Sequence, residues 1–312
     1  MLKESLFYAK ILLFGEYGII HDSMGLSIPF DSYKGRLKFA KTESEETRNS
    51  NGHLQKYHDY LKSLQNSNSD VVYLDLKSFQ SDINTGLHFD SSIPQGFGVG
   101  SSGALVAAIY DRYASGKISS ENPKKESIKN LKDIFGKMES YFHGTSSGLD
   151  PLICYLNLPI LIKSKTDLGT VGLPQDNKGG KGAIFLMDSG NPGKTEPMVN
   201  IFMEKMKHRG FRRVVKEELK RYNDACIHAF LNKDLKPLFS NIKELSSLLL
   251  ENFRPMIPTI FHNLWKDGIE SNDYYLKLCG SGGGGYILGF TEDIDKAKHK
   301  LKGYPLEVVF TF

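Results

Sequence analysis

Long apolar runs are missing from this chain of 312 residues. No stretch approaches the roughly 18 to 20 apolar residues that a membrane-spanning helix requires. The segment Met1 to Gly15 is broken by Glu4 and Lys10, is followed by Glu16, and has no small-residue cleavage site; it reads as a strand rather than a targeting peptide. Cysteine is equally scarce. Cys154, Cys226 and Cys279 lie far apart, with neither a CxxC pair nor a metal-ligand spacing, which argues against a disulfide framework or a zinc site and suits neutral thiols in a reducing compartment. An excess of one charge is lacking too: 40 Lys and Arg face 36 Asp and Glu, a net charge of +4. That balance makes no overall field of the kind that attracts nucleic acid or a membrane surface. The expectation is a cytoplasmic protein with no nucleic-acid and no membrane partner.

What is present suits a globular protein of two domains, since 40% of the residues are apolar and this length exceeds the usual single domain. Phe7 to Phe14 reads as a buried strand ending at Gly15. Thr42 to Gln55 is polar and reads as a long loop or a helix start, and Val71 to Leu76 alternates like a strand. A helix is expected after Ser102, where Ala104, Leu105, Ala108 and Ile109 recur at helical spacing, and another over Lys124 to His143, with a stripe of Ile128, Leu131, Ile134, Phe135 and Met138. Asn177 to Gly182, rich in glycine and lysine, is the best place for a hinge, dividing the chain into 1–180 and 181–312. Beyond it the pattern predicts a strand at Ala183 to Met187 and a mainly helical region from Met203 to Phe253. Strands follow at Tyr274 to Leu278, Tyr286 to Phe290 and Leu306 to Phe312. The fold class is therefore a mixture of α/β and α+β in two layers.

The stretch from Pro94 to Ala104, PQGFGVGSSGA, places four glycines and two serines just ahead of the expected helix. Glycines let a backbone approach a phosphate, and the free N–H groups and positive dipole end of a helix start favour an anion. The run is not a GxxxxGK[ST] loop, and its Gly96-Phe97-Gly98-Val99-Gly100 spacing does not satisfy GxGxxG. A tight strand-to-helix turn with a serine cap has the same composition, so both readings stand on local sequence alone.

Pro94 to Ala104 resembles the PxxxGLGSSAA motif of the GHMP kinase superfamily, with Val99 for Leu and Gly103 for the first Ala. Lys10 to His21, KILLFGEYGIIH, is similar to the first motif of those kinases, a PGK leading through an apolar strand to GEH. Lys277 to Gly285, KLCGSGGGG, is similar to the third, KLTGAGGGG. The motifs occur in the expected order. Within the superfamily, His143 to Asp150, HGTSSGLD, resembles the HGNPSGxDN segment of mevalonate kinases, and Glu139 lies eleven residues before Asp150, where those enzymes carry a magnesium-binding glutamate. The segment ending Asn191-Pro192-Gly193-Lys194-Thr195 is similar to theirs as well. Tyr8 and Ala9 replace the Pro and Gly of PGK, Tyr17 replaces the GEH histidine, and Pro151 replaces the Asn after the aspartate.

The resemblance implies a two-domain GHMP kinase fold, an N-terminal α/β domain and a C-terminal ferredoxin-like α+β domain, with the site in the cleft between them. It implies transfer of the terminal phosphoryl group of ATP to the hydroxyl of mevalonate, with Mg2+ as cofactor. Asp150 would act as the base and Lys10 would help neutralise the moving phosphoryl group. Gly96, Gly98, Gly100, Ser101, Ser102 and Gly103 would wrap the phosphates, and Ser102 and Glu139 would hold the metal. Glu16, His21 and Thr195 would lie on the acceptor side. The expected partners are ATP and a small alcohol, and a homodimer is compatible with this reading. Other acceptors stay open: phosphomevalonate, homoserine, or the substrate of diphosphomevalonate decarboxylase; so does a nucleotide sensor without chemistry. The residues also have plainer roles. Asp150 after a glycine is commonly a turn or cap, Glu139 commonly a solvated helix charge, and His21 and His143 commonly structural. Lys10 inside an apolar strand is the exception, because a buried lysine needs a carboxylate. The basic group His208, Arg209, Arg212, Arg213 and Lys216 reads as a solvated face.

Overall fold

The computed structural model describes residues 5–67, 73–164 and 166–312. Two compact units interleave along the chain. The first comprises Met1–Lys10, Pro29–Pro94 and Gly100–Leu158; the second comprises Ile11–Ile28, Gln95–Val99 and Pro159–Phe312. Strands β1 (Phe7–Phe14) and β2 (Gly25–Phe39) each contribute to both. β1 is buried along nearly its whole length, the signature of a strand covered on both faces.

In the first unit the outer part of β2 pairs antiparallel with β3 (Leu87–Ser91), Leu37 opposite Phe89. Around it lie α1 (Glu45–Ser67), α2 (Leu76–Asn84), α3 (Ser101–Tyr113), α4 (Lys125–His143) and α5 (Leu149–Leu156). The polar stretch from Thr42 proves to be a helix start: Ser44 and Thr47 exchange backbone-to-hydroxyl hydrogen bonds of 2.9 and 3.2 Å at the entrance, a reciprocal cap. Leu54, Tyr57, His58 and Leu61 then form its buried face. Of the strand expected at 71–76, Val71 and Val72 lie outside the described residues. Leu74 makes only an isolated bridge to Ala114, and Leu76 already begins α2. The reason is Asp75, whose carboxylate accepts from the backbone N–H of Ser78 at 3.0 Å and so caps a helix where the apolar alternation suggests a strand. Tyr110, Phe135 and Tyr155, on α3, α4 and α5, meet edge to face with centroids 5.0 to 5.6 Å apart, locking those three helices together.

In the second unit the first residues of β2 pair antiparallel with β4 (Ile160–Ile162), which pairs with β5 (Leu168–Thr170). A separate antiparallel sheet has the order β7-β8-β6-β9, built from β6 (Ala183–Asp188), β7 (Tyr275–Leu278), β8 (Tyr286–Thr291) and β9 (Leu306–Thr311). Its helices are α6 (Thr195–Met206), α7 (Arg209–Arg213), α8 (Lys220–Leu231), α9 (Leu235–Asn252), α10 (His262–Ser271) and α11 (Ile294–Lys300), with a π-helical turn at Val214–Leu219 between α7 and α8. α9 packs on β7 and β8, and α10 on β7. Phe185, Phe230, Phe253, Phe261 and Trp265 are among the fully buried large side chains of this unit. The segment 177–182 lies inside it, where the N–H of Asn177 donates to Thr311 at 3.0 Å. The basic group is solvated as expected: Arg213 pairs with Glu217, and Arg212 donates to the carbonyls of Met206 and Lys207.

Candidate active site

In the first unit, three glycines allow helices and turns to approach until charged side chains meet. Gly148, at φ 71°, caps α5; a Cβ there would lie 2.0 Å from the carbonyl oxygen of Lys132 and 2.5 Å from the nitrogen of Gly136. Only glycine permits the turn 144–148 to rest on α4 in this way. It delivers Asp150 into the first turn of α5, where the helix dipole favours a carboxylate. Gly103, in the first turn of α3, faces the same place, since its Cβ would lie 2.8 Å from the carbonyl carbon of Asp150. Lys10 enters from β1 with its stem against Gly100, whose Cβ would stand 2.9 Å from the lysine Cγ. Its Nζ lies 2.9 Å from Oδ1 of Asp150; the lysine side chain is 4% exposed and the aspartate 39%. The carboxylate is therefore oriented by a buried cation on one side and open on the other.

Glu139, in the last turn of α4, is 3% exposed. The hydroxyl of Ser102 donates to its Oε1 at 3.0 Å, and that of Ser146 donates to Oε2. The Ser102 oxygen also lies 3.1 Å from Nε2 of His143. Burial first, and the negative charge of Asp150 second, push the Glu139 carboxyl up to about 7, against the opposing pull of the two serines and Lys10. A buried carboxylate beside a serine hydroxyl at a helix start is a hard-oxygen set that fits Mg2+, which takes few protein ligands and keeps phosphate oxygens and waters for the rest. Among the described residues there is no group of three or more His, Cys, Asp or Glu able to hold a metal by themselves.

In the second unit, segment 95–99 is held by the ring of Phe97, edge to face on Tyr286 at 5.1 Å, and by backbone, as are the loops beside it. The N–H of Gly193 donates to Gly96 at 2.7 Å, that of Gly285 to Asn191 at 2.7 Å, and that of Gly283 to Met256 at 2.6 Å. A Cβ on Gly98 would lie 2.9 Å from the carbonyl oxygen of Cys279, and one on Gly285 would lie 2.6 Å from Cα of Phe97. Three loops, 95–99, 191–193 and 279–286, thus interlock at glycines, which explains why glycine is so dense there.

Of the residues picked out in the sequence, Lys10 with Asp150 and Ser102 with Glu139 are brought together, and Gly100, Ser101 and Gly103 lie at the same helix start in the first unit. Gly96 and Gly98 belong to the interlocked loops. Glu16 is drawn into an ion pair with Lys277. The ring of His21 lies 6.0 Å from that of Phe202, and Thr195 is exposed at the start of α6. Sequence reasoning did not single out Ser146 or Lys277, and it took His143 as structural. Lys277 carries a readable signal, since a lysine within the apolar strand before a glycine run needs a carboxylate partner. Ser146 carries none until the path of the turn is known.

Residues 69–157 match the family model described as the GHMP kinases N terminal domain. The chain carries a GHMP kinase N-terminal domain. Solved structures of similar fold include the L. major mevalonate kinase in complex with R-mevalonate (17% identity, TM-score 0.65, covering 100% of this chain and 97% of that one). The Methanococcus jannaschii mevalonate kinase is also similar (16%, TM-score 0.61, covering 99% and 98%). So is the Streptococcus pneumoniae phosphomevalonate kinase in complex with phosphomevalonate and AMPPNP (12%, TM-score 0.62, covering 99% and 100%). No curated protein sequence matches the chain. At these identities the likeness shows the two-domain GHMP kinase fold. No helix among the described residues is long and apolar enough to cross a membrane.

Proposed function

We propose that the protein transfers the terminal phosphoryl group of ATP to the hydroxyl of mevalonate, giving ADP and 5-phosphomevalonate. The observation that carries this reading is the Lys10–Asp150 pair, half open to solvent and 2.9 Å across, at the start of the glycine-flanked helix whose Ser102 bonds Glu139. In this reading Oδ2 of Asp150 accepts the proton of the acceptor hydroxyl while Lys10 fixes Oδ1 and offsets the charge gathering at the transferred group. The oxygen freed of its proton forms the new bond to phosphorus as the bond to the ADP oxygen breaks, and positioning and charge neutralisation supply most of the acceleration. Ser102 and Glu139 would hold Mg2+, which would supply positive charge to neutralise the phosphates. The N–H groups from Gly100 to Gly103, with Gly96 and Gly98, would wrap the phosphates. His21 and Thr195 are the candidates for the acceptor side; Glu16, expected there too, is committed to its buried pair with Lys277. We place the ATP and metal motifs in a functional domain 1–180 and the third glycine motif in 181–312.

The test is ADP release by purified protein with Mg2+ and ATP, with and without mevalonate, beside phosphomevalonate, homoserine and galactose, and with Asp150→Asn as the control. Turnover on mevalonate that disappears in the variant is the expected result. Turnover on another acceptor would keep the chemistry and replace the substrate; nucleotide binding with no turnover on any alcohol would favour a sensor.

A further inference from the structure

Tyr17 follows Glu16 at the end of β1 and adopts a positive φ of 58°, a backbone state that a bulky residue rarely takes without compensation. The compensation is visible. Its ring stacks on Phe202 at 4.5 Å and lies 5.7 Å from Phe253, the residue is 7% exposed, and its hydroxyl donates to the backbone carbonyl of Ser281 at 2.7 Å. One residue earlier, Glu16 pairs with Lys277, whose ammonium also donates to the carbonyl of Leu278 at 2.9 Å. Tyr17 thus holds the carbonyl after Gly280 directly, while Glu16 acts on the carbonyl before Cys279 through the ammonium of Lys277. Gly280, Gly282, Gly283, Gly284 and Gly285 all take positive φ and lack side chains, so beyond these two grips the run is fixed by its backbone, through the N–H groups of Gly283 on Met256 and Gly285 on Asn191. Burial holds the Tyr17 phenol well above its ordinary range, so it stays a donor at working pH.

We propose that Tyr17 and Glu16 form a two-point latch on the glycine run 280–285, and through it set the position of segment 95–99. The coupling is steric and backbone-borne. Gly98 leaves room for only the carbonyl of Cys279, Gly285 seats against Phe97, and the N–H of Tyr286 reaches the carbonyl of Phe97 at 3.4 Å. Tyr17 is thus a positioning residue, and its consequence for nucleotide affinity rests on the phosphate-binding role given to Gly96 and Gly98 above.

The test removes one hydroxyl. Tyr17→Phe keeps the ring stack, and Tyr17→His is too short to reach Ser281. Each is compared with the unmodified protein by amide hydrogen exchange and by titration with Mg2+ and the non-hydrolysable analogue AMPPNP, after circular dichroism shows native folding. In both variants exchange is expected to quicken about tenfold in peptides covering 95–99 and 280–285 and to stay unchanged in α9, with AMPPNP binding about five- to tenfold weaker. Unchanged exchange in both peptides overturns the latch whatever the nucleotide result, and so does quickening spread evenly over the second unit, which marks a general loss of stability. Local quickening in a protein that binds no AMPPNP even unmodified keeps the latch and removes the nucleotide reading.

Discussion

Two lysines of this chain sit inside apolar strands and answer a carboxylate, and they differ in what surrounds the acid. Lys10 and Asp150 are 4% and 39% exposed, whereas Lys277 and Glu16 are 1% and 7%. A closed pair has its geometry and hydrogen bonds fully spent on holding the fold, and breaking it strands a charge away from water. An open pair is buried only on the side of the cation, so the acid is aimed while keeping an edge for a reactant. Both lysines look alike in sequence; the exposure of the partner separates the one suited to chemistry from the one that fastens loops.

That contrast is most sharply broken by isosteric removal of each acid. Asp150→Asn is expected to lower kcat by about a thousandfold. It is expected to lower Tm as well, since it leaves the buried ammonium of Lys10 without its carboxylate, but by less than loss of the closed pair because Asp150 is already partly hydrated. Glu16→Gln is expected to cost about 3 kcal/mol of stability in urea unfolding, the range for one side of a buried ion pair. If Asp150→Asn unfolds the protein and Glu16→Gln leaves its stability alone, the roles of the two pairs are reversed.

Glu139 extends the comparison to a buried acid held chiefly by serines. In the folded protein it keeps its proton up to about 7, against 4.5 in an unconstrained chain. The folded state therefore binds the extra proton between those values, so the stabilisation is complete below pH 4.5 and is lost as pH rises through about 7. Glu139→Gln is expected to match the unmodified protein near pH 4.5 and to exceed its stability above pH 7, by about 3 kcal/mol, while Mg2+-dependent activity falls. Thermal melts from pH 4.5 to 8.5 check the sign; parallel curves at all pH values would mean that the carboxylate is ionised throughout.

The elements that carry these groups were unequally legible. β1, α3 and α4 follow from periodicity and glycine punctuation, and Lys10 stands out because a charge interrupts an apolar strand. β2 was missed because Pro29 and Gly35 interrupt it and Asp31 and Lys34 lie between them, features that argue against a strand unless its pairing is known. α5 was missed because only eight residues form it, with Pro151 near its start. The meeting of Ser102, Glu139 and Ser146 depends on the turn resting on α4, a contact between backbones that no side-chain pattern announces. Motif resemblance supplied Ser102 and Glu139, which local periodicity did not; Ser146 came from neither.

The gentlest probe is Gly103→Ala, which restores the alanine of the resembled motif. In this protein the added methyl would stand 2.8 Å from the carbonyl carbon of Asp150 and from the nitrogen of Pro151. Both neighbours are backbone in the first turn of α5, so the helix must shift rather than a side chain turn aside. The displacement acts on Asp150 relative to Lys10 and leaves the Glu16–Lys277 pair untouched. A drop in kcat of about tenfold is expected, the scale of a misplaced catalytic group, with a loss of about 1 kcal/mol in stability. Steady-state kinetics with a matched melt separate the two, since a methyl that merely loosened the packing would lower Tm without moving kcat. A fully active Gly103→Ala protein would show that α5 yields freely, and that the placement of Asp150 depends on Gly148 and the turn on α4 rather than on its approach to α3.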